Sequence, residues 1–146
     1  MGLKQISVFL ENTTGRLGEV TKALSVAGVN IRAISIADTA DFGILRLIAD
    51  KTDAAIDALN NAGFTTKQTD VVAVEIEDIP GSLAKLMELF QQSQVNIEYL
   101  YASLGTSSDS LKQGNGGKAV VIFKLQDHEK GRKILTDKGF LMAESF

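Results

Sequence analysis

The chain has 146 residues with 15 basic and 18 acidic side chains, a net charge of −3, and a hydrophobic content of 45%. This is the composition of an ordinary globular protein of one or two small domains. It offers no excess of positive charge for nucleic-acid phosphates and no apolar run long enough to span a bilayer. Because the sequence contains no cysteine, disulfides and thiol catalysis are excluded, and we expect a cytoplasmic protein.

Hydrophobic periodicity predicts six elements in the first half of the chain. Apolar and polar side chains alternate over residues 5–10, which is typical of a strand. Over residues 15–27 apolar side chains recur every three to four positions, which predicts a helix that ends at Gly28. Its expected core-facing side chains are Leu17, Val20, Leu24 and Ala27. The other predicted elements are strands at 29–37, 43–49 and 64–70, and a helix that is capped by Asp50 or Thr52 and runs to Ala62.

The second half of the chain repeats this βαββαβ order. Gly81 lies 66 positions after Gly15, whereas Gly139 lies 76 positions after Gly63. Ten extra residues are therefore expected in the hairpin of the second repeat, within the polar stretch 105–117.

The repeat predicts an α+β fold with two domains, at residues 1–70 and 71–146. Each domain is expected to be an antiparallel four-stranded sheet with two helices on one face. In the second domain we expect a strand that begins at Val72, a first helix that buries Leu83, Leu86, Met87 and Phe90, and a last helix capped by Asp127.

Two turns join the first strand of each repeat to its first helix, Asn12-Thr13-Thr14-Gly15 and Asp78-Ile79-Pro80-Gly81. Asn and Thr side chains accept hydrogen bonds from the first amides of a helix, so they are expected to cap the first helix. Pro80 is expected in the turn or at the first helical position, where its missing amide is not needed. Free amides and the helix dipole favour an anion here.

This repeated pattern resembles the ACT domain, a small ferredoxin-like regulatory module of amino-acid metabolism. The likeness is carried by Gly15-Arg16-Leu17 and Gly81-Ser82-Leu83 at the helix starts, and by Val29-Asn30-Ile31 and Val95-Asn96-Ile97 before the second strands. It covers both halves of the chain. The resemblance implies a stand-alone ACT pair without catalytic activity or cofactor, which binds an amino acid where the turn of one domain faces a neighbouring domain.

The resemblance also implies which positions contact the ligand. They are the two turns, the helix starts and the first residues of the next strand: Asn12, Thr13, Thr14, Gly15, Arg16, Leu17, Asn30, Ile31, Asp78, Ile79, Pro80, Gly81, Ser82, Leu83, Asn96 and Ile97. Asn12 and Asn30 match polar positions that contact ligand in serine-binding members, whereas Leu10 replaces a basic or aromatic residue of the family. Asp78 reverses the charge expected beside a carboxylate, so the first turn is the preferred site and the second contributes its wall.

Several of these residues have a structural alternative. Asn12 is as well suited to helix capping as to ligand binding, and Asn30 to a hydrogen bond that ties the helix exit to the next turn. Arg16 is either an anion contact or a solvated charge. His128, the only histidine, is expected on the surface, and no metal site is expected.

The leading hypothesis is a regulatory sensor rather than an enzyme, because no nucleophile–base pair or carboxylate pair is placed for catalysis. We expect a homodimer, and a partner enzyme or transporter that responds to the bound amino acid. No nucleic-acid or membrane partner is expected. The alternative function is the regulatory subunit of an amino-acid biosynthetic enzyme, similar to the small subunit of acetolactate synthase.

Overall fold

The computed structural model describes residues 2–38, 41–104 and 117–144. The expected hairpin insertion at 105–117 lies outside the described residues except for Gly117. The chain divides into an N-terminal unit, residues 4–69, and a C-terminal unit, residues 2–3 and 70–144. In chain order the elements are β1 Leu3–Glu11, α1 Arg16–Val26, β2 Ile31–Asp38, β3 Phe42–Ala49, α2 Thr52–Asn61, β4 Thr65–Glu77, α3 Ser82–Gln92, β5 Ile97–Ala102, β6 Lys118–Leu125, α4 His128–Asp137 and β7 Leu141–Ala143.

The N-terminal unit is built on strands in the order β2-β3-β1-β4. Strand β3 pairs antiparallel with both neighbours, so that Leu45 lies opposite Val8 of β1 and opposite Ile36 of β2. One face of the sheet and the two helices enclose a core, because alternate residues of a strand point to the same face. The fully or nearly buried residues of this core are Ile6, Val8, Leu10, Val20, Leu24, Val29, Leu45, Leu47, Ala49, Ala55, Leu59 and Phe64.

The C-terminal unit has the same plan, with strands in the order β7-β4-β6-β5. Val74 of β4 lies opposite Val121 of β6 and Met142 of β7, and all three pairings of this sheet are antiparallel. Phe90 and Phe123 pack edge to face in the core, with ring centroids 5.5 Å apart. The predicted α+β fold of two ferredoxin-like units is therefore confirmed.

Strand β4 differs from the prediction, which placed one strand at 64–70 and a separate strand from Val72. The structure has a single strand of 13 residues, Thr65–Glu77. No glycine or proline interrupts it, so nothing in the local sequence ends the extended backbone. Val71 and Ala73 are as fully buried as Val74. Burial on both faces removes the alternation that would have marked where one repeat meets the next.

The first helix of each unit buries less than the sequence predicts. In α1 the residues Val20 and Leu24 are buried, but Leu17 is 42% exposed and Ala27 is also exposed. Leu83 of α3 is 38% exposed in the same way. The apolar stripe correctly predicts which side of a helix faces the sheet, but it does not show how far along the helix the sheet extends.

The helix caps were predicted in part. Asp127 caps α4, since its carboxylate accepts a hydrogen bond from the Lys130 amide at 3.1 Å. The prediction for α2 is wrong, because Lys51 stands at the cap position and no side chain caps the helix. Gly28, Gly63 and Gly139 end their helices with φ of 71°, 88° and 79°, as predicted.

Candidate ligand site at the helix-start turns

The first turn, residues 12–15, leads from β1 into α1 through Gly15, whose φ of 92° and ψ of −15° are left-handed. A glycine adopts this conformation without steric strain. The Asn12 amide donates to the Asp41 carbonyl at 3.1 Å, and the Thr13 amide to the Glu11 carbonyl at 2.8 Å. Backbone hydrogen bonds therefore hold the turn. The predicted side-chain cap from Asn or Thr is wrong, because Gly15 itself occupies the cap position and has no side chain.

The second turn, residues 78–81, has the same backbone. Gly81 has a φ of 90° and a ψ of −13°. The Asp78 amide donates to the Gly117 carbonyl at 2.7 Å, as Asn12 does to Asp41. The Ser82 amide lies 3.3 Å from the Ile79 carbonyl, and the corresponding distance in the first turn is 3.4 Å. The two turns thus have one shape, and Pro80 lies in the turn rather than at the first helical position.

Each turn places free amides at the start of a helix. The first amide of α1 to donate in the helical i to i−4 pattern is that of Glu19, to the Gly15 carbonyl at 3.0 Å. The amides of Leu17 and Gly18 precede it and have no acceptor among the residues that the structure describes. The two equivalent amides of α3 are free in the same way. Free amides at the positive end of a helix dipole bind anions.

The side chains around the two turns differ in charge. Asn12, Thr13 and Thr14 are exposed, neutral and polar, and each can both donate and accept hydrogen bonds. The second turn has Asp78 in place of Asn12, and Ile79 beside it is exposed. An ionised carboxylate only accepts hydrogen bonds and repels a second carboxylate. The first turn therefore suits an anionic group better than the second.

Arg16, the first residue of α1, has contacts with Glu19 and Phe64. Its Nη1 donates to Glu19 Oε2 at 2.6 Å, and its Cζ lies 4.5 Å from the centroid of the Phe64 ring. Its Nε is buried and has no hydrogen-bond partner within the part of the chain that the structure describes. Arg16 is therefore half-buried against an aromatic ring rather than fully solvated, and its contact with an anion stays a prediction.

Asn30 lies at the opposite end of α1 from the first turn. Its amide donates to Asp50 Oδ1 at 2.9 Å, and its carbonyl accepts from the Asp50 amide at 3.0 Å. The expected hydrogen bonding between the end of α1 and the next turn is therefore present, but the backbone of Asn30 makes it rather than its side chain. Because α1 has 11 residues, Asn30 is about 16 Å or more along the helix from Asn12. One small ligand cannot touch both residues within one unit.

Asn96 is placed like Asn30, and its carbonyl accepts from the Gln126 amide at 2.9 Å. Its exposed side chain lines an open polar depression of about 530 Å³ together with His128 and Lys130. Ile31 and Ile97, which follow the two asparagines, pack half-buried against the two cores. Both isoleucines therefore serve the fold.

The sequence matches the model of the ACT domain pair over residues 1–145. The chain belongs to the ACT-domain family. ACT domains are regulatory modules, and the recognition made from the repeated turns is confirmed.

Solved structures agree with this assignment. The chain is similar to protein BT0572 from Bacteroides thetaiotaomicron, with 36% identity and a TM-score of 0.85 over 99% of this chain and 94% of that one. It also shares its fold with the ligand-free regulatory subunit of aspartate kinase from Thermus thermophilus, with 16% identity, a TM-score of 0.65 and coverage of 95% and 94%. No protein of curated function matches the sequence significantly.

The ACT fold brings together only part of the predicted site in each unit. Residues 12–17 form one continuous surface of turn and helix start, and residues 78–83 form its counterpart. The strand-start residues lie at the far end of each first helix. Leu10, which stands where the family has a basic or aromatic residue, is buried in the core.

Two features of this ACT pair were not predicted from sequence. His128 lies at the surface as expected, in the lining of the open polar depression, but it is half-buried, and its Nδ1 is buried without a hydrogen-bond partner in the described part of the chain. An open apolar groove of about 570 Å³ runs between α1 and α2. Its signal in the sequence is a set of small residues spaced by three or four positions, including Ala23, Ala58 and Ala62.

Neither a metal site nor a membrane helix is found in residues 2–38, 41–104 and 117–144. No group of acidic or histidine side chains in these residues could hold a metal ion. None of their helices is long and apolar enough to cross a membrane.

Proposed function

We propose that this ACT pair is a non-catalytic sensor that binds an amino acid at the first turn, with its ACT domains at residues 1–70 and 71–146. The proposal rests mainly on the free amides of Leu17 and Gly18, which lie beside the neutral, exposed Asn12. An amino acid carries both a carboxylate and an ammonium group, and this surface offers donors and acceptors for the two. No catalytic step is needed for such a role.

The carboxylate is assigned to the helix start. The amides of Leu17 and Gly18 point along the axis of α1, where the helix dipole favours negative charge. The half-buried Arg16 adds positive charge close by, although its ion pair with Glu19 offsets much of it. A carboxylate bound to backbone amides would be stabilised without displacing any existing hydrogen bond, because these amides have no acceptor among the described residues.

The ammonium group is assigned to the side chains of the turn. The Asn12 side-chain oxygen and the hydroxyls of Thr13 and Thr14 accept hydrogen bonds from it, while the Asn12 side-chain NH2 group donates to the neighbouring carboxylate. The remaining wall of the site is assigned to a neighbouring ACT domain, with an asparagine such as Asn30 or Asn96 facing the ligand. The distance of about 16 Å or more between Asn12 and Asn30 within one unit supports this, since only a second domain can complete the contact.

The second turn is assigned a supporting role. Its amides are arranged like those of the first turn, but Asp78 places a negative charge where the carboxylate would bind. The apolar Ile79 beside it suits a wall that contacts the ligand side chain. We therefore propose one effector site for each chain.

The bound amino acid acts by favouring one arrangement of the ACT domains, which requires different affinities for two arrangements. A partner enzyme in amino-acid biosynthesis is the proposed reader of this change. The shared fold with a separate regulatory subunit of aspartate kinase, over 95% of this chain, favours such a partner. Co-purification with a larger catalytic chain, in amounts that change with the amino acid, would support this second proposal.

Isothermal titration calorimetry with each of the common amino acids tests the binding proposal. At least one should bind wild-type protein, and Asn12→Ala should weaken it about tenfold, as expected for one hydrogen bond to a charged group. Asp78→Ala is the matched control at the second turn and should leave the affinity within about threefold. Folded wild-type protein that binds none of the amino acids would contradict the proposal, as would equal affinity in Asn12→Ala.

A further inference from the structure

Each unit has a junction where the exit of its first helix meets the loop before its second helix. The Asn30 junction consists of Gly28, Asn30, Asp50 and Lys51, and the Asn96 junction consists of Gln94, Asn96, Gln126 and Lys130. In the first, the Asp50 amide donates to the Asn30 carbonyl at 3.0 Å. In the second, the Gln126 amide donates to the Asn96 carbonyl at 2.9 Å. Gln126 therefore occupies the place of Asp50.

The Asn30 junction is closed by a carboxylate of its own. The Asn30 amide donates to Asp50 Oδ1 at 2.9 Å. Lys51 Nζ donates to the Gly28 carbonyl at 3.2 Å, so a positive charge lies at the same junction. A hydrogen bond from a backbone amide to an ionised carboxylate is stronger than a bond between neutral groups. The N-terminal unit thus shows which kind of group this backbone geometry binds.

The Asn96 junction lacks this carboxylate. Gln126 has a neutral carboxamide where Asp50 has a charged group. The backbone amide of Asn96 has no acceptor among the residues that the structure describes. A lysine is present here too, because Lys130 Nζ lies 3.4 Å from the Gln94 carbonyl. The amide and the lysine of the Asn30 junction are therefore both repeated, but the acceptor between them is missing.

The Asn96 junction borders the open polar depression of about 530 Å³. The exposed side chains of Gln94, Asn96 and Gln126 line this depression, and each carries an NH2 group that can donate to an oxygen of a ligand. His128 lines it as well, and its buried Nδ1 has no partner within residues 2–38, 41–104 and 117–144. The depression therefore has the space and the donors that a small anion needs.

The backbone of Gln94 gives independent support. Gln94 has a left-handed φ of 57°, whereas the equivalent residue of the N-terminal unit is Gly28, with a φ of 71°. Glycine adopts this conformation without strain, but glutamine does not. Strained residues of this kind are concentrated at functional sites. A contact between the Gln94 side chain and a ligand accounts for a glutamine at a position that suits glycine.

Two acidic side chains in the lining limit the affinity for an anion. Asp127 Oδ1 accepts from the Lys130 amide at 3.1 Å, and Glu129 is exposed. Both repel a negative charge, and Lys130 offsets only one of them. We therefore expect a dissociation constant on the order of 1–10 mM for a ligand that carries a single carboxylate.

We propose that the Asn96 junction binds the carboxylate of a small free organic acid, in the position that the Asp50 carboxylate takes at the Asn30 junction. The Asn96 backbone amide donates to one carboxylate oxygen, and Lys130 and the Gln126 side chain donate to the other. The site lies within the C-terminal unit. Because its main contact is a backbone amide outside the helix-start turns, it does not depend on the amino-acid site proposed for the first turn.

Two-dimensional amide NMR with sodium acetate tests the proposal, because acetate presents a carboxylate alone and each backbone amide gives its own signal. The Asn96 signal should shift and saturate, whereas the Asn30 signal should not, since that amide is already bonded to Asp50. Sodium chloride at the same ionic strength is the control and should leave both signals in place. An Asn96 signal that acetate does not move, or an Asn30 signal that moves equally, would overturn the proposal.

The source of the carboxylate is tested separately. A short peptide with blocked ends and one aspartate presents the same group as part of a chain. If the ligand is a free acid, this peptide should bind no more tightly than acetate. A peptide affinity more than about tenfold higher would contradict the proposal, because it would assign the site to a partner protein.

Exchange of the two differing side chains gives the sharpest test. Gln126→Asp supplies an internal carboxylate, so the Asn96 signal should shift without acetate, and acetate affinity should fall at least about tenfold. Gln126→Asn is the matched control, equal in size to aspartate but neutral, and should keep the affinity within about threefold. Asp50→Gln should make the Asn30 signal respond to acetate. Wild-type acetate affinity in Gln126→Asp, or an unresponsive Asn30 signal in folded Asp50→Gln, would refute the proposal.

Discussion

The two helix-start turns share a backbone and differ in charge. Gly15 and Gly81 agree within 2° in φ and in ψ, and the flanking backbone hydrogen bonds agree in pattern. Yet Asn12 is replaced by Asp78, and Arg16 by Ser82. The comparison shows that one backbone shape of an ACT turn accommodates two different sets of exposed side chains, and we propose that these side chains determine which ligand binds. The side chains of one turn can therefore differ while its backbone shape stays the same.

The largest expected effect comes from giving the first turn the charge of the second. Asn12→Asp removes the hydrogen-bond donor and places a carboxylate beside the ligand carboxylate. We expect effector affinity to fall by about 100-fold, which corresponds to about 2.7 kcal/mol. Stability should change by less than about 0.5 kcal/mol, because Asn12 is exposed and caps no helix. Calorimetry and urea unfolding measure the two quantities. A stable variant with wild-type affinity would remove Asn12 from the site.

The next largest effect tests whether the same glycine substitution lowers the free energy of unfolding equally at the two turns. Gly15→Ala and Gly81→Ala should each lower the free energy of unfolding by about 1–2 kcal/mol, because an L-residue is strained at these φ values. An added Cβ meets no atom within 4 Å at either position, so the strain is in the backbone alone. Gly18→Ala inside α1 is the control and should stabilise by about 0.5–1 kcal/mol. Only Gly15→Ala should also reduce ligand affinity. Unequal destabilisation of the two turns in urea would show that their backbones are not equivalent.

The helix exits give the smallest expected effect. Gln94 stands where the first repeat has Gly28, and it adopts the same left-handed conformation with a φ of 57°. Its amide still donates to the Gln91 carbonyl at 3.2 Å, so the helix ends in the same way despite the strain. Gln94→Gly should therefore stabilise the protein by about 1 kcal/mol, and Gly28→Gln should destabilise it by a similar amount. Thermal unfolding of both variants checks this, and a destabilised Gln94→Gly would contradict it.

The fold was largely predictable because its strongest signals are local. The alternation of Ile6, Val8 and Leu10 predicted a strand face that is buried, and Asp127 predicted a helix cap that forms. The repeat of turn, helix and strand then predicted the family. The continuity of strand β4 from one repeat into the next was not predictable in the same way. Val71 to Val74 are buried on both faces of the strand, so the sequence shows no alternation of apolar and polar residues there.

The candidate site was less predictable for a physical reason. A turn sequence shows which groups are available but not which of them are already used. The sequence predicts that Asn12 caps the helix, but Gly15 occupies the cap position. The sequence also allows Arg16 to be a solvated charge, but Arg16 packs on Phe64 and pairs with Glu19. These outcomes depend on contacts with residues distant in sequence, such as Phe64. The sequence also could not show that a helix separates Asn12 from Asn30.

The number of effector molecules bound by each chain tests the central claim most directly. Wild-type protein titrated calorimetrically with an amino acid that binds it should take up one molecule for each chain, and Asn12→Asp should take up none at the same concentrations. Two equivalent molecules for each wild-type chain would contradict the account, because they would show that the Asp78 turn binds as well as the Asn12 turn.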